Sequence, residues 1–338
     1  MKTLVITDKQ LRLEQREIRP PREGECLVRV RAVGICATDL HLLDGRLKFD
    51  KMPAIPGHEV AGVVEKVGPG VDHAWLGRKV VVDPVIGCGT CIYCHAGRKL
   101  LCRQGGELGT TGGDGGYAEY VTVPAINLYS LLEPLAFEEG AVIEPLNCTL
   151  GAFLKAQPKP GESVVIFGSG PAGLLFTALA RASGCAPVLI IGRGRTRLDL
   201  ARRLGAAETW SYHDPGLADK IMRATGGEGP DIAVEASGAD VAVRQAFTGV
   251  RRGGRVVLYG ISGANRENIS SDAIVAKDLS VVAGIGAPLL WDAAIRMAAQ
   301  GQVQLRSLIT HQFPLEEFAL AIALARDGDR AAKVVLCP

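Results

Sequence analysis

Residues 163–183 leave few folds open to this chain. Ser163-Val164-Val165-Ile166-Phe167 is a continuous apolar run, Gly168-Ser169-Gly170-Pro171-Ala172-Gly173 follows at once, and an apolar helical stretch runs from Leu174 to Ser183. A bare G-x-G-x-x-G is a weak signal, but between a strand and a helix it is a strong one for a bound dinucleotide. The first glycine permits the turn, the second lets a pyrophosphate approach the backbone, and the third lets the helix pack closely on the strand. The helix N-terminus attracts the phosphates. Strand and helix patterns then alternate. Pro187 to Ile191, Asp231 to Gly238, Gly254 to Ile261 and Leu279 to Gly284 read as further strands of a parallel sheet. Ligands bind at the carboxyl edge of such a sheet. Ser237, Tyr259, Gly260 and Ile261 fall there. An NAD site ends its second strand on Asp or Glu, which holds the ribose hydroxyls. This chain has Gly192-Arg193-Gly194-Arg195-Thr196-Arg197 instead. Three arginines and no acid suit a 2′-phosphate, so NADP is expected, with NAD as the alternative.

The cysteines make a second constraint. Four of the nine fall in Cys88-Gly-Thr-Cys91-Ile-Tyr-Cys94 and Cys102. Four thiolates in a short glycine-rich loop suit a closed tetrahedral metal site that pins the loop. A third cluster is spread along the chain: Gly34-Ile35-Cys36-Ala37-Thr38-Asp39-Leu40-His41, then Gly57-His58-Glu59, then Glu144-Pro145. Cys36, His58 and a carboxylate from Glu59 or Glu144 offer one S, one N and one O. That is the donor mixture of a catalytic zinc, which keeps a position open for water or substrate. Two zinc ions are therefore expected, one structural and one catalytic.

The rest of the chain frames these motifs. Cys26 to Val33, Glu59 to Gly68, Lys79 to Asp83 and Tyr117 to Val123 read as strands, and Thr38 or Asp39 as the cap of a short helix. Pro53, Pro56 and Gly57 interrupt the chain before His58. Residues 105–117, rich in glycine, read as a connecting loop more readily than as a phosphate loop. Pro145 predicts an extended backbone at Glu144, and the apolar neighbours of that carboxylate imply burial and a need for a partner. The tail carries a helix around Trp291 to Ala299 and a closing strand at Lys333 to Leu336, which is expected to return to the first domain. The chain's 338 residues suit two domains. With 38 basic against 36 acidic residues, nothing points to nucleic acid or an anionic membrane as partner. No apolar run has the length of a membrane span, and Met1-Lys2-Thr3-Leu4-Val5 lacks a signal pattern, so a cytoplasmic location is expected.

Together these residues resemble the zinc-dependent medium-chain dehydrogenase/reductase family, in its sorbitol and threonine dehydrogenase-like branch, over essentially the whole chain. The resemblance implies an α/β protein with a GroES-like β-rich catalytic domain at 1–148, bearing a zinc lobe at 85–105 and completed by 286–338. A Rossmann domain, a doubly wound parallel sheet, would occupy 149–285. Cys36 and the His58-Glu59 pair match the catalytic zinc motif, and Cys88, Cys91, Cys94 and Cys102 match the structural lobe. Glu59 or Glu144 would ligate the zinc directly, the other acting through water. Thr38 matches the residue that hydrogen-bonds the substrate hydroxyl, His41 the outer end of the proton relay, and Asp39 the carboxylate that orients His58.

Gly168, Gly170, Pro171, Ala172, Gly173, Gly192, Arg193, Arg197, Ser237, Tyr259, Gly260, Ile261, Ile285, Gly286 and Ala287 would line the cofactor, and Lys333 would contact its phosphate. The chain departs from sorbitol dehydrogenases at Gly286-Ala287, where they carry Arg-Tyr, and at Leu42, where they carry an aromatic. The activity implied is hydride transfer between a secondary alcohol or small polyol and NADP, in a homo-oligomer (tetramer or dimer). The alternatives are a threonine-type amino-alcohol dehydrogenase, a sugar dehydrogenase using NAD, and a non-catalytic NADPH-binding relative.

Overall fold

The computed structural model describes residues 1–47, 55–261, 269–286 and 289–338. Ala287 and Pro53 lie outside these residues. Within them, six parallel strands form one sheet in the order Glu208–Ser211, Val188–Gly192, Val164–Phe167, Ile232–Glu235, Arg255–Leu258, Ser280–Ala283. Numbered along the chain, that is 3-2-1-4-5-6, the order of a dinucleotide-binding sheet whose direction of winding reverses beside its first strand. The central strands Val164–Phe167 and Val188–Gly192 are buried and apolar throughout because both faces are covered. Val164, Ile166, Ile190 and Val234 point into one core, and Val165, Phe167, Leu189, Ile191 and Ala233 into another.

Pro171 opens the helix Pro171–Ala182, where its missing N–H is no loss. Gly168 has φ +123°, and a Cβ on Gly173 would lie 1.8 Å from the Gly168 carbonyl oxygen. The first and third glycines thus have separate steric reasons.

A second sheet has the order Ile309–Pro314, Lys333–Cys337, Glu25–Gly34, Glu59–Val67, Lys79–Val82, Leu128–Ser130, with Tyr120–Pro124 also paired to Glu25–Gly34. Two strands from the tail, Ile309–Pro314 and the expected Lys333–Cys337, belong to it. Val335 pairs antiparallel with Gly34, and Gly34 also pairs with Glu59. Three distant stretches therefore meet at one point of this sheet.

Two local expectations are corrected. Glu144 is helical, as the second residue of Ile143–Leu154. Pro145 stands third in that helix, where the N–H it lacks would have no partner within the helix. Cys36, and not Thr38 or Asp39, is the N-cap of Ala37–Leu43. Asp39 serves the cap from inside the helix, its Oδ2 accepting the Cys36 N–H at 2.8 Å. Ile143–Leu154 is buried along nearly its whole length and packs between the two sheets, its core taking Ala61 and Val81 from one and Ile166 and Val234 from the other.

Candidate active site

The pairing of Gly34 with Glu59 brings the candidate metal ligands together. Cys36 stands two residues beyond Gly34 and His58 one before Glu59, so the register sets them side by side. Cys36 Sγ, a ring nitrogen of His58 and a carboxylate oxygen of Glu59 lie within 4.8 Å of one another. A Cβ at Gly34 would lie 1.8 Å from Glu59 Oε2, so only glycine leaves room for that carboxylate. His58 and Glu59 are buried, while Cys36 is partly open. A soft sulfur, an imidazole and a carboxylate within reach of one centre fit a catalytic zinc.

Burial pulls the His58 imidazole down, but Cys36 and Asp39 outweigh it and hold it well above its ordinary value. An ion binding here must therefore displace a proton. Asp39 Oδ1 lies 3.8 Å from His58 Nδ1. Thr38 Oγ1 lies 3.6 Å from Cys36 Sγ, one turn before His41. Burial lowers His41, and its Nδ1 has no hydrogen-bond partner among the described residues.

The glycine-rich loop does more than connect. Gly115 N–H donates to the Ile55 carbonyl at 2.7 Å, Gly116 N–H to Gly57 at 2.7 Å and Tyr117 N–H to Pro56 at 3.0 Å. A Cβ on Gly115 would lie 2.3 Å from the Gly57 oxygen. The loop is a backbone bed for the turn that presents His58.

Two carboxylates bracket the site differently. The Lys333 ammonium sits on Glu59, 2.6 Å from Oε1, and donates to the Ile35 carbonyl at 2.9 Å. Lys333 is only 1% exposed, so its charge is buried in the wall of the metal site and not presented to a phosphate, contrary to expectation. Glu144 lies outside the Cys36–His58–Glu59 cluster and accepts from the Cys148 thiol at 3.0 Å. Burial pushes the Glu144 carboxyl up to about 7, with His58 opposing and Glu59 adding. Leu42 is fully buried.

The parallel sheet faces this cluster. Tyr259, just past Arg255–Leu258, is held well up by burial and by the nearby Cys148, Glu144, Cys36 and Glu59, and its ring meets Phe176 edge-on at 5.2 Å. Glu235 accepts from Ser237 N–H at 2.8 Å, Ser237 Oγ at 2.7 Å and Gly238 N–H at 2.8 Å, pinning the loop after its strand. A Cβ on Gly260 would lie 2.2 Å from Gly238 N. Ala172 is half-buried in the first turn after the glycine loop. Ile261 and Ile285 are exposed apolar residues at the sheet's ligand edge, and Gly286 faces Leu100 of the cysteine lobe.

A cavity of 480 Å³ opens at the ends of two neighbouring strands, lined by Arg193, Gly194, Arg195, Leu198, Asp199, Arg202 and Ser211. Arg202 and Ser211 were not singled out from the sequence. The spacing 195, 198, 199, 202 marks one helix face and could have found Arg202. Arg195 and Arg202 both pair with Asp199, and Arg193 has no carboxylate partner among the described residues. Arg197 points elsewhere, its Nε donating to the Ala331 carbonyl at 2.8 Å. Gly192 has a packing reason, since a Cβ there would lie 2.2 Å from Ser169 Oγ and 2.8 Å from Ser169 N. Ser169 Oγ in turn accepts from Arg193 N–H at 3.0 Å and donates to the Arg193 carbonyl at 2.6 Å.

The thiols of Cys88, Cys91, Cys94 and Cys102 also lie within 4.8 Å of one another. Thr90, through its backbone and hydroxyl, draws Cys88 down to about 6, while burial drives Cys94 up to about 11. Four thiols this close cannot all ionise unaided, and a dication removes that conflict.

Residues 22–133 match the alcohol dehydrogenase GroES-like domain, and residues 171–300 match the zinc-binding dehydrogenase domain. The erythritol/L-threitol dehydrogenase of Mycolicibacterium smegmatis is 33% identical over 341 aligned positions, covering 97% of this chain and 94% of that protein. The L-threonine 3-dehydrogenase of Pyrococcus abyssi is 35% identical, covering 94% and 92%. The structure of the alcohol dehydrogenase RspB from E. coli CFT073, complexed with NADH, superposes with a TM-score of 0.92 at 30% identity, covering 100% of this chain and 99% of that one. No helix among the described residues is long and apolar enough to cross a membrane. With both sheets, both ligand clusters and these relatives in agreement, the chain belongs to the zinc-dependent medium-chain dehydrogenase family and is a dehydrogenase.

Proposed function

We propose that this enzyme oxidises a secondary alcohol or short vicinal diol to the matching ketone, or runs the reverse reaction, with NADP as the preferred cofactor. The observation that carries the reading is the donor set of Cys36, His58 and Glu59 within 4.8 Å, beside the ligand edge of a dinucleotide-binding sheet. Zinc and nicotinamide, when bound, supply the Lewis acid and the hydride acceptor. Cys36, His58 and Glu59 or Glu144 would hold the catalytic ion, and the four-cysteine lobe a structural one. Thr38, beside Cys36 Sγ, would accept a hydrogen bond from the substrate hydroxyl and relay its proton by passing its own O–H proton onward. His41, lowered by burial, is neutral near pH 7 and can receive a proton at its outer end. Gly168, Gly170 and Gly173 admit the pyrophosphate, and Arg193, with Arg202 and Ser211, faces the 2′-phosphate. RspB was solved with NADH, so the fold does not choose the cofactor, and the arginine cavity is what favours NADP.

Gly286 has no side chain to grip the far end of a long polyol, and Leu42 is buried. Short diols are therefore expected to outperform sorbitol. The similarity to a threonine dehydrogenase keeps an amino alcohol as the second reading. The test compares kcat/KM for sorbitol, a short vicinal diol, a simple secondary alcohol and threonine, each with NAD and NADP. A clear lead for threonine selects the second reading, and a clear lead for sorbitol shows that other residues grip the long chain. Equal or better efficiency with NAD reduces the arginine cavity to a solvated surface. We place the enzyme in the cytoplasm as a homo-oligomer.

A further inference from the structure

Asp39 is held from two sides by one of its oxygens. Oδ2 accepts the Cys36 N–H at 2.8 Å and the Tyr117 hydroxyl at 2.9 Å. Oδ1 has no hydrogen-bond partner among the described residues and lies 3.8 Å from His58 Nδ1, which has none among them either. Both residues are buried, and Tyr117 is 0% exposed. The tyrosine also packs on the two residues that lead into the same histidine. A Cβ on Gly57 would lie 2.3 Å from Tyr117 Cδ1, and Tyr117 N–H donates to the Pro56 carbonyl at 3.0 Å. One residue, 78 positions from Asp39, thus touches both the turn that presents His58 and the carboxylate that faces its ring.

A carboxylate fixed by a single donor can swing about its terminal torsion, which is broad and soft. Two donors on Oδ2, arriving from different elements, remove that freedom and leave Oδ1 aimed at the imidazole. At 3.8 Å the pair is aligned but beyond hydrogen-bond range, so the restraint on Asp39 decides how readily it closes. An Nδ1–H facing Asp39 leaves Nε2 as the nitrogen for an ion.

We propose that the Tyr117 hydroxyl is a positioning group for the catalytic metal site, acting through Asp39 to fix the orientation and tautomer of His58. The inference rests on the reading of Cys36, His58 and Glu59 as that site. Ligand histidines are commonly held by a carboxylate, and loss of such support typically costs about 10–100-fold in metal affinity. Here the support has a support of its own.

The test uses Tyr117→Phe, which keeps the ring against Gly57 and removes only the hydroxyl. Co²⁺ is titrated into the full-length protein against a competing chelator, and occupancy is read from the visible spectrum. The dissociation constant at the Cys36 site should rise by about 10–100-fold, with the metal of the four-cysteine lobe retained. The same change is then made in an Asp39→Asn background. If Tyr117 acts through Asp39, its further effect there shrinks below about twofold, the signature of coupled sites. An unchanged constant in Tyr117→Phe overturns the proposal. So does an equal loss in both backgrounds, which would mark a merely structural tyrosine. Should Tyr117→Phe fail to fold, Asp39→Asn carries the test from the other end, and unchanged affinity there overturns it equally. A wild-type protein that holds no ion removable by Cys36→Ser sinks the metal-site reading itself, an outcome distinct from the others.

Discussion

Cys36 and Cys94 carry the same thiol into different surroundings, and their substitutions should separate accordingly. Cys36 belongs to an S, N, O set beside the cofactor edge, and Cys94 to an all-thiol set in a lobe with little core of its own. Cys36→Ser should remove one zinc and nearly all activity, with a smaller loss of melting temperature than Cys94→Ser. Cys94→Ser should remove the other zinc and lower the melting temperature first. Elemental analysis with a thermal melt checks both, and a single zinc in fully active wild type would contradict the pair. Arg193 carries a second residue-scale prediction. A charge-assisted hydrogen bond to a phosphate contributes about 1.5–3 kcal/mol. Arg193→Ala should therefore raise KM for NADP by roughly 10–100-fold and leave KM for NAD nearly unchanged. An equal rise for both cofactors would mean that Arg193 does not read the 2′-phosphate. Gly192→Asp, the obvious swap towards NAD, is a poor test because its Cβ would strike Ser169.

At the scale of elements, strands and glycine turns were legible in the sequence because their signals are local. The strand Val164–Phe167 and the helix Pro171–Ala182 follow from apolar runs and from glycines that nothing else can replace. Trp291–Ala299 appears in the sequence as the helix it is. What stayed hidden depends on partners far along the chain. Glu144 reads as extended because Pro145 follows it, yet that proline falls where a helix tolerates it. The family resemblance sets Lys333 against a phosphate, whereas strand pairing with Glu25–Gly34 carries its ammonium to Glu59. The glycine-rich loop at 105–117 looks idle until its bonds to residues 55–57 are seen. Gly115→Ala tests that last point. Its Cβ would press the Gly57 carbonyl from 2.3 Å, and overpacking of this kind typically costs about 1–3 kcal/mol. Because Gly57 leads directly into His58, metal affinity at the Cys36 site should fall along with the melting temperature. Lower stability with full metal affinity would show that the loop supports the fold and not the histidine.

At the scale of the whole molecule, the proposed metal cluster would tie stability to pH through its ion. In the metal-free site, Glu144 is raised from 4.5 to about 7 by burial, Asp39 is raised from 3.8 by burial, and His58 is held well above 6.5. All three bind protons more tightly folded than unfolded. Their contribution to stability is therefore complete below the unfolded values and is lost as pH rises through the folded ones. A metal reverses this, because the ion replaces the protons and needs its ligands deprotonated. The protein with the lobe's metal kept and the Cys36 site emptied should thus lose melting temperature from about pH 4.5 to about pH 7, the span of the Glu144 shift, with His58 extending the loss above pH 6.5. The fully loaded protein should fall less over the same span, so the gap between the two widens as pH rises. Keeping the lobe loaded matters, since Cys88, lowered to about 6, would otherwise titrate in the opposite sense. Scanning calorimetry of both forms across that range is the measurement. A gap that stays constant, or narrows with rising pH, would mean that Glu144 and His58 do not exchange protons for the ion, and that the buried carboxyl at 144 stands apart from the metal site.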